Sequence, residues 1–345
     1  MVNSISSGLI RILLEIKYLI DLSIFYFSSA SKAYDVVARI TGDNVSRPDI
    51  DAMCDNAQIR VEAYASWLRV SQLKSQLMVK LPGDLMTNLA GSLSKINQKQ
   101  ALEIHPVGGA IVAVPHFGEF VVDIISIALS APPKRKVAIF YDPPTKSVNN
   151  SVFDDIAQRV IPTLDKDIII CHNDPRGLAV ALKILRGGGT VIIMPDICQD
   201  QLAAFTIPFF LRDFDVMLGV ASLSRKTDVK IVPVLPRTLG WRKKIKVLKA
   251  ISVVDAQGSS AATSNELVDY TAIREIFHQY ETGIGKEIIF WRYWHKHFHR
   301  KEFVHINNSE DFTALISLDP LLKCHRRACI SRSIPITDNA YQTRN

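Results

Sequence analysis

Cysteine is scarce and scattered in this chain. Its 345 residues include five, Cys54, Cys171, Cys198, Cys324 and Cys329, with no C-x-x-C pair among them. An odd, dispersed set argues against a disulfide framework or a zinc site and suits a reducing compartment. Long hydrophobic runs are missing too. Nowhere do about 18 apolar residues follow one another, so no membrane-spanning helix is expected. Internal repeats and low-complexity tracts are also absent. Acidic side chains are in deficit, with 34 Asp and Glu against 41 Lys and Arg, a net charge of +7. The mean hydropathy is nevertheless +0.12, whereas basic soluble chains usually fall below zero. That pairing points to an anionic, greasy surface, with nucleic acid and acidic substrates as alternatives. What is present is a hydrophobic share of 48% and an aromatic share of 8%, enough to exclude a wholly disordered chain.

Residues 8–27 are strongly apolar but interrupted by Arg11, Glu15, Lys17 and Asp21. On a helical wheel these four charges fall within one arc of roughly 160°, and Arg11–Glu15 and Lys17–Asp21 are both i,i+4 pairs. A spanning helix would lose about 2.5–3.5 kcal/mol for each charge near the bilayer centre. The stretch also lacks a small-residue cleavage site after a clean apolar core, which argues against a secretory signal. Two readings stand: an amphipathic helix lying in a membrane interface, or a helix packed on its own domain.

Residues 31 to about 100 carry helical periodicity. From Gly108 the texture changes to short apolar runs at 111–114, 137–141, 168–171, 191–194 and 230–235, bounded by Gly, Pro, Asp or Asn. Helical-period segments at 122–129, 148–160, 178–185 and 217–225 separate them. The alternation predicts an α/β fold: a largely parallel central sheet flanked by helices, with a helical N-terminal region. Residues 244–254 predict a further strand, and 265–279 a helix capped by Ser264. The organisation expected is an amphipathic helix in 1–30, a single α/β domain in 31–303, and a weakly structured extension in 304–345.

Chemistry concentrates in three stretches. His116 lies just past the carboxyl end of the expected strand at 110–114, with Gly118 allowing a tight passage into the next helix. Ligands of open α/β sheets bind in that crevice. A His there, with Glu119 and Asp123 close in sequence, is a candidate general base, or else a hydrogen-bonded loop residue. The second stretch runs from Gly187-Gly188-Gly189 to Asp196, at the carboxyl end of its own expected strand and so on the same sheet edge as His116. Asp196 reads either as a site residue or as a loop cap. The triple glycine precedes a strand, so it is not a phosphate-cradling loop, which follows one and opens a helix. The third, residues 290–301, is basic and aromatic throughout. His295, His297 and His299 alternate there, but no carboxylate or cysteine stands close enough to complete a metal site. Neither a metal nor a cofactor is expected. Lys230, Arg237, Arg242, Lys243, Lys244, Lys246 and Lys249 form a basic stretch without an acid among them, read as a solvated face or as contact with a phosphate-bearing partner.

Taken in order, these stretches resemble the bacterial lipid A late (lauroyl/myristoyl) acyltransferases of the lysophospholipid acyltransferase superfamily. The resemblance runs from about residue 8 to 303. It rests on the apolar N-terminal helix, the strand followed by His116-Phe117-Gly118, and the Gly-rich turn, strand and Asp196. Ile207-Pro208-Phe209-Phe210 and Phe290-Trp291-Arg292-Tyr293-Trp294-His295 complete the set. It implies a peripheral enzyme on the cytoplasmic face of the cell membrane. Such an enzyme moves a fatty acyl chain from an acyl carrier protein or coenzyme A thioester to a lipid or small-molecule acceptor. It also implies His116 as general base, Asp196 at the site, and Arg159 near an acceptor phosphate.

The departures from the family pattern are specific. Its His-x-x-x-x-Glu/Asp motif places an acid where this chain has Val121. Glu119 and Asp123 stand two residues to either side, each about 200° away round a helix, so neither inherits the acid's direction. Asp142 occupies the place of an Arg, Ile197 that of a Gln, and Leu211 that of a Gly. The readings that follow are an acyltransferase with a changed acceptor, hydroxyl or amine, and a catalytically inactive homologue that binds lipid or acyl carrier protein. Thioester hydrolysis is indistinguishable from the first by sequence. Nucleic-acid binding rests on net charge alone and is not expected.

Overall fold

Short apolar runs without polar alternation have to bury both faces, and they do so here as strands in the middle of a layered domain. The structure, a computed structural model, describes residues 12, 13, 16, 20, 96–141, 151–164, 166–198, 204–209, 212–236, 245–253, 265–284, 291 and 293. The expectations for 31–95, Asp142, Leu211, Arg237, Arg242, Lys243, Lys244, Ser264, the three alternating histidines and 304–345 lie outside them.

Six strands form the main sheet: β1 (Ala110–Ala113), β2 (Val137–Phe140), β3 (Ile168–Cys171), β4 (Thr190–Ile193), β7 (Lys230–Leu235) and β8 (Lys246–Val247). Their order is β3-β2-β4-β1-β7-β8. All pairings are parallel except that of the edge strand β8 with β7. Central strand β1 pairs Ile111 with Val191 on one side and Ile231 on the other. The strand expected over 244–254 is therefore shorter: two residues, then a single bridge between Ile251 and Ile231.

Each strand feeds alternate side chains into two cores. Ala110, Val112 and Val114 face α2 (Phe120–Ser130) and α3 (Ser151–Arg159), where they meet Ile124, Ile127 and Ile156. Ile111 and Ala113 belong to the opposite core, with α4 (Pro175–Arg186), α5 (Gly219–Thr227) and α6 (Asn265–Ile284). Burying one such Ile stabilises the fold by about 1.5–3 kcal/mol. The helix boundaries follow local chemistry. Asp174 caps α4 by accepting the Gly177 N–H at 2.7 Å, Pro175 opens the first turn, and Gly187 ends the helix. A further helix, α1 (Gln98–Ile104), starts on a reciprocal capping box between Asn97 and Gln100. In the second core Arg225 of α5 grips Asp269 of α6 through two hydrogen bonds of 2.9 and 3.0 Å.

The glycine turns mark the amino ends of the strands. Gly109 has φ +97°, and a Cβ there would lie 2.6 Å from the carbonyl oxygen of Gly189. Only glycine lets the backbones entering β1 and β4 pass so closely. The triple glycine is thus a packing device at the edge opposite His116.

One element escaped the reading of alternating strands and helices. After β4 the chain forms an antiparallel hairpin, β5 (Phe205–Phe209) and β6 (Arg212–Val216), outside the main sheet. Its Phe209 and Phe214 are buried against Phe277 of α6.

Candidate functional site

The connections out of β1 and β4, which are neighbours, leave to opposite faces. β1 runs on into α2 on one face, whereas β4 leads by way of the hairpin to α5 on the other. A crevice opens at the carboxyl ends of two strands so arranged, and it is where open α/β sheets take ligands. His116 stands on the β1 side of it and Asp196 on the β4 side.

The two side chains meet. Nδ1 of His116 lies 2.8 Å from Oδ1 of Asp196, and the backbone N–H of His116 donates to Oδ2 at 2.9 Å. Ring and main chain of one residue thus clasp one carboxylate, which fixes the side-chain torsions of both. A carboxylate only accepts, so Nδ1 carries the proton, and in the neutral imidazole the lone pair is on Nε2. Among the described residues Nε2 has no hydrogen-bond partner. The ring packs on Phe120, with centroids 4.8 Å apart, and meets Tyr293 edge-on at 5.5 Å. His116 is 4% exposed and Asp196 2%. Gly118, at φ +56°, turns the chain directly after the base so that α2 can begin at Phe120.

Two aromatic residues complete the arrangement. Trp291 donates its indole N–H to Oδ2 of Asp196 at 3.0 Å, and its backbone bridges that of Phe117. Tyr280 of α6 donates its hydroxyl to the carbonyl of Ala113, the last residue of β1, at 2.7 Å. Burial, followed by the charge of Asp196, pushes the Tyr280 hydroxyl well above the ordinary phenol range, so it stays a neutral donor. Sequence reasoning missed both roles. Trp291 carried one weak signal, membership of the aromatic segment 290–301.

The other candidates are placed as follows. Glu119 is buried at the N-cap position of α2, and Asp123 is buried within its first turn. Neither is hydrogen-bonded to the His116 ring; that partner is Asp196. Val121, between them, is buried in the α2 core. Arg159 is exposed on the last turn of α3, the crossover that returns the chain towards the amino end of β3. The topology therefore sets it on the side of the sheet away from His116. Ile197 directly follows Asp196 and is half-buried.

Fold and site together define the class: an α/β protein with an open, mostly parallel sheet and a buried His–Asp pair at its switch point. No family model matches the chain, and no curated protein matches it.

Proposed function

We propose that the chain is an acyltransferase, with His116 as general base and Asp196 as the carboxylate that orients it. One observation carries this reading: Nδ1 of His116 is held by Asp196 at the carboxyl edge of the sheet, which leaves Nε2 as the nitrogen available for proton transfer. A base presented in this way can take the proton of an acceptor hydroxyl or amine as that atom attacks a thioester carbonyl carbon. The new C–O or C–N bond forms, the tetrahedral intermediate collapses, and the C–S bond breaks. The departing thiolate recovers the proton from the imidazolium. Asp196 stabilises that imidazolium and holds the tautomer, the task assigned in the family pattern to the acid that Val121 replaces. Backbone N–H groups at the start of α2 would stabilise the oxyanion.

The donor is an acyl carrier protein or coenzyme A thioester, and the acceptor a lipid A-like or smaller molecule. Asp142 in the place of an Arg, with Arg159 set away from His116, favours an acceptor carrying less phosphate. Peripheral membrane contact draws support from the N-terminal helix. Ile12, Leu13, Ile16 and Ile20 are helical and 48–56% exposed. At 100° per residue they fall within an arc of about 100°, the part of the wheel that Arg11, Glu15, Lys17 and Asp21 leave free. No helix among the described residues is long and apolar enough to cross a membrane.

The test is transfer of a labelled acyl group from acyl carrier protein or coenzyme A to candidate acceptors, by wild type and by His116→Ala. Equal transfer by both ends this assignment. The near-complete burial of the His116 ring favours a second reading, an inactive homologue that holds an acyl chain or carrier protein. Measurable affinity for acyl carrier protein, with no turnover on any acceptor, selects it.

A further inference from the structure

We infer that Trp291 is the third member of a hydrogen-bonded relay, a positioning residue that sets the tautomer and aim of His116 through Asp196. The inference rests on the reading of His116 as the base, and it concerns how that base is kept ready.

Asp196 is a buried carboxylate, and among the described residues no lysine or arginine pairs with it. Its stabilisation comes from three N–H donors: the ring and the backbone of His116, and the indole of Trp291. A charge withdrawn from water and left without a counter-ion depends on every such donor. The division of labour between its oxygens is uneven. Oδ1 receives the His116 ring alone, at 2.8 Å, whereas Oδ2 is shared between the His116 backbone and Trp291, at 2.9 and 3.0 Å. Two donors from different chain segments on one oxygen fix the plane of the carboxylate. The other oxygen is thereby aimed at Nδ1. With only the backbone donor left, the carboxylate can turn about its Cβ–Cγ bond, and the proton on the imidazole is no longer confined to Nδ1.

The indole is itself held from turning. Trp291 is fully buried, with the rings of Phe209 and Phe214 edge-on at 5.1 and 5.5 Å and Tyr293 at 6.2 Å. Both phenylalanines come from the β5–β6 hairpin, which gives that excursion from the main sheet a task. The segment bearing Trp291 also brings Tyr293 against the base, so one stretch of chain touches both members of the dyad. A phenylalanine would fill most of the same space; only the N–H would be missing.

The experiment compares wild type with Trp291→Phe. A second variant places β-(3-benzothienyl)alanine at 291, the same shape with sulfur in place of N–H, in case the phenylalanine protein fails to fold. Ring 15N chemical shifts of His116 at neutral pH read the tautomer without any substrate. Wild type is expected to show protonated Nδ1 and unprotonated Nε2, and the variants a mixture of the two tautomers. With a thioester donor, kcat is expected to fall about tenfold while KM is unchanged, as when an orienting contact is lost without loss of binding. A wild-type tautomer and kcat in a folded variant overturn the relay and leave the transferase reading intact. A tautomer shift in a protein that transfers no acyl group leaves the relay standing and removes the transferase reading.

Discussion

The two histidines buried in the described core stand at opposite ends of the same strands and are wired in opposite ways. At the amino edge, His105 follows α1. Its Nε2 is 2.9 Å from the Ile127 carbonyl and 3.1 Å from Ser130 Oγ, and its Nδ1 is 2.9 Å from Thr190 Oγ1. Nε2–H donates to the carbonyl, and Nδ1 accepts the threonine hydroxyl. Both nitrogens are spent on tying α1, α2 and β4 together. Burial lowers its pKa to about 4, the Ile127 hydrogen bond opposing that shift only in part. At the carboxyl edge, His116 has one nitrogen fixed by a carboxylate and the other without a partner among the described residues. Burial is thus common to both histidines, and the number of engaged ring nitrogens is what differs between them.

Substitutions at these positions should break the symmetry of burial in a graded way. His116→Ala is expected to lower acyl transfer per folded molecule most, by about 10⁴-fold, the upper range for a positioned base. Asp196→Asn comes next, at about 10³-fold in kcat. The amide matches the carboxylate in shape but can offer an N–H to Nδ1 and stabilise the wrong tautomer. Single-turnover rates with a labelled thioester would check both; equal rates for Asp196→Asn and wild type would remove Asp196 from the dyad. His105→Ala should do the converse. It leaves Thr190 and the Ile127 carbonyl short of a partner and opens a cavity, costing about 2–4 kcal/mol in urea unfolding, with activity per folded molecule retained.

The smallest effect expected is one of pH. The folded pKa of His105 lies below its unfolded value, so the unfolded chain binds more protons between about pH 6.5 and 4. The stability due to this group is complete above pH 6.5 and is lost as pH falls towards 4. Between pH 7 and 5.5 that loss amounts to about 1 kcal/mol. It should vanish from the pH dependence of His105→Gln. The same slope in both proteins would assign the acid sensitivity to other groups.

Much of the α/β layering was legible because buried parallel strands leave an unmistakable trace, short apolar runs closed off by turn residues. The shared edge of His116 and Asp196 was legible for the same reason, since each follows directly on such a run. Their hydrogen bond was not, because spacing within one helix drew attention to Glu119 and Asp123. A partner 80 residues away leaves no local period. Trp291 and Tyr280 were hidden in the same way, arriving at β1 and β4 from the far end of the chain. His105 gave no signal at all, being a lone polar residue between Ile104 and Pro106. The β5–β6 hairpin was missed because an antiparallel excursion interrupts the strand–helix alternation on which the reading relied.

The register between β1 and β4 has a consequence of its own. Ala113 is paired with Ile193, and the His116–Asp196 contact is built three residues beyond each. Its span is therefore gauged by a hydrogen-bonded ladder, and not by the first turn of a helix. Helix α2 is released from supplying the histidine's carboxylate, although Phe120 still packs on its ring. The position of Val121 can therefore be given to core packing while the histidine and its carboxylate keep their spacing.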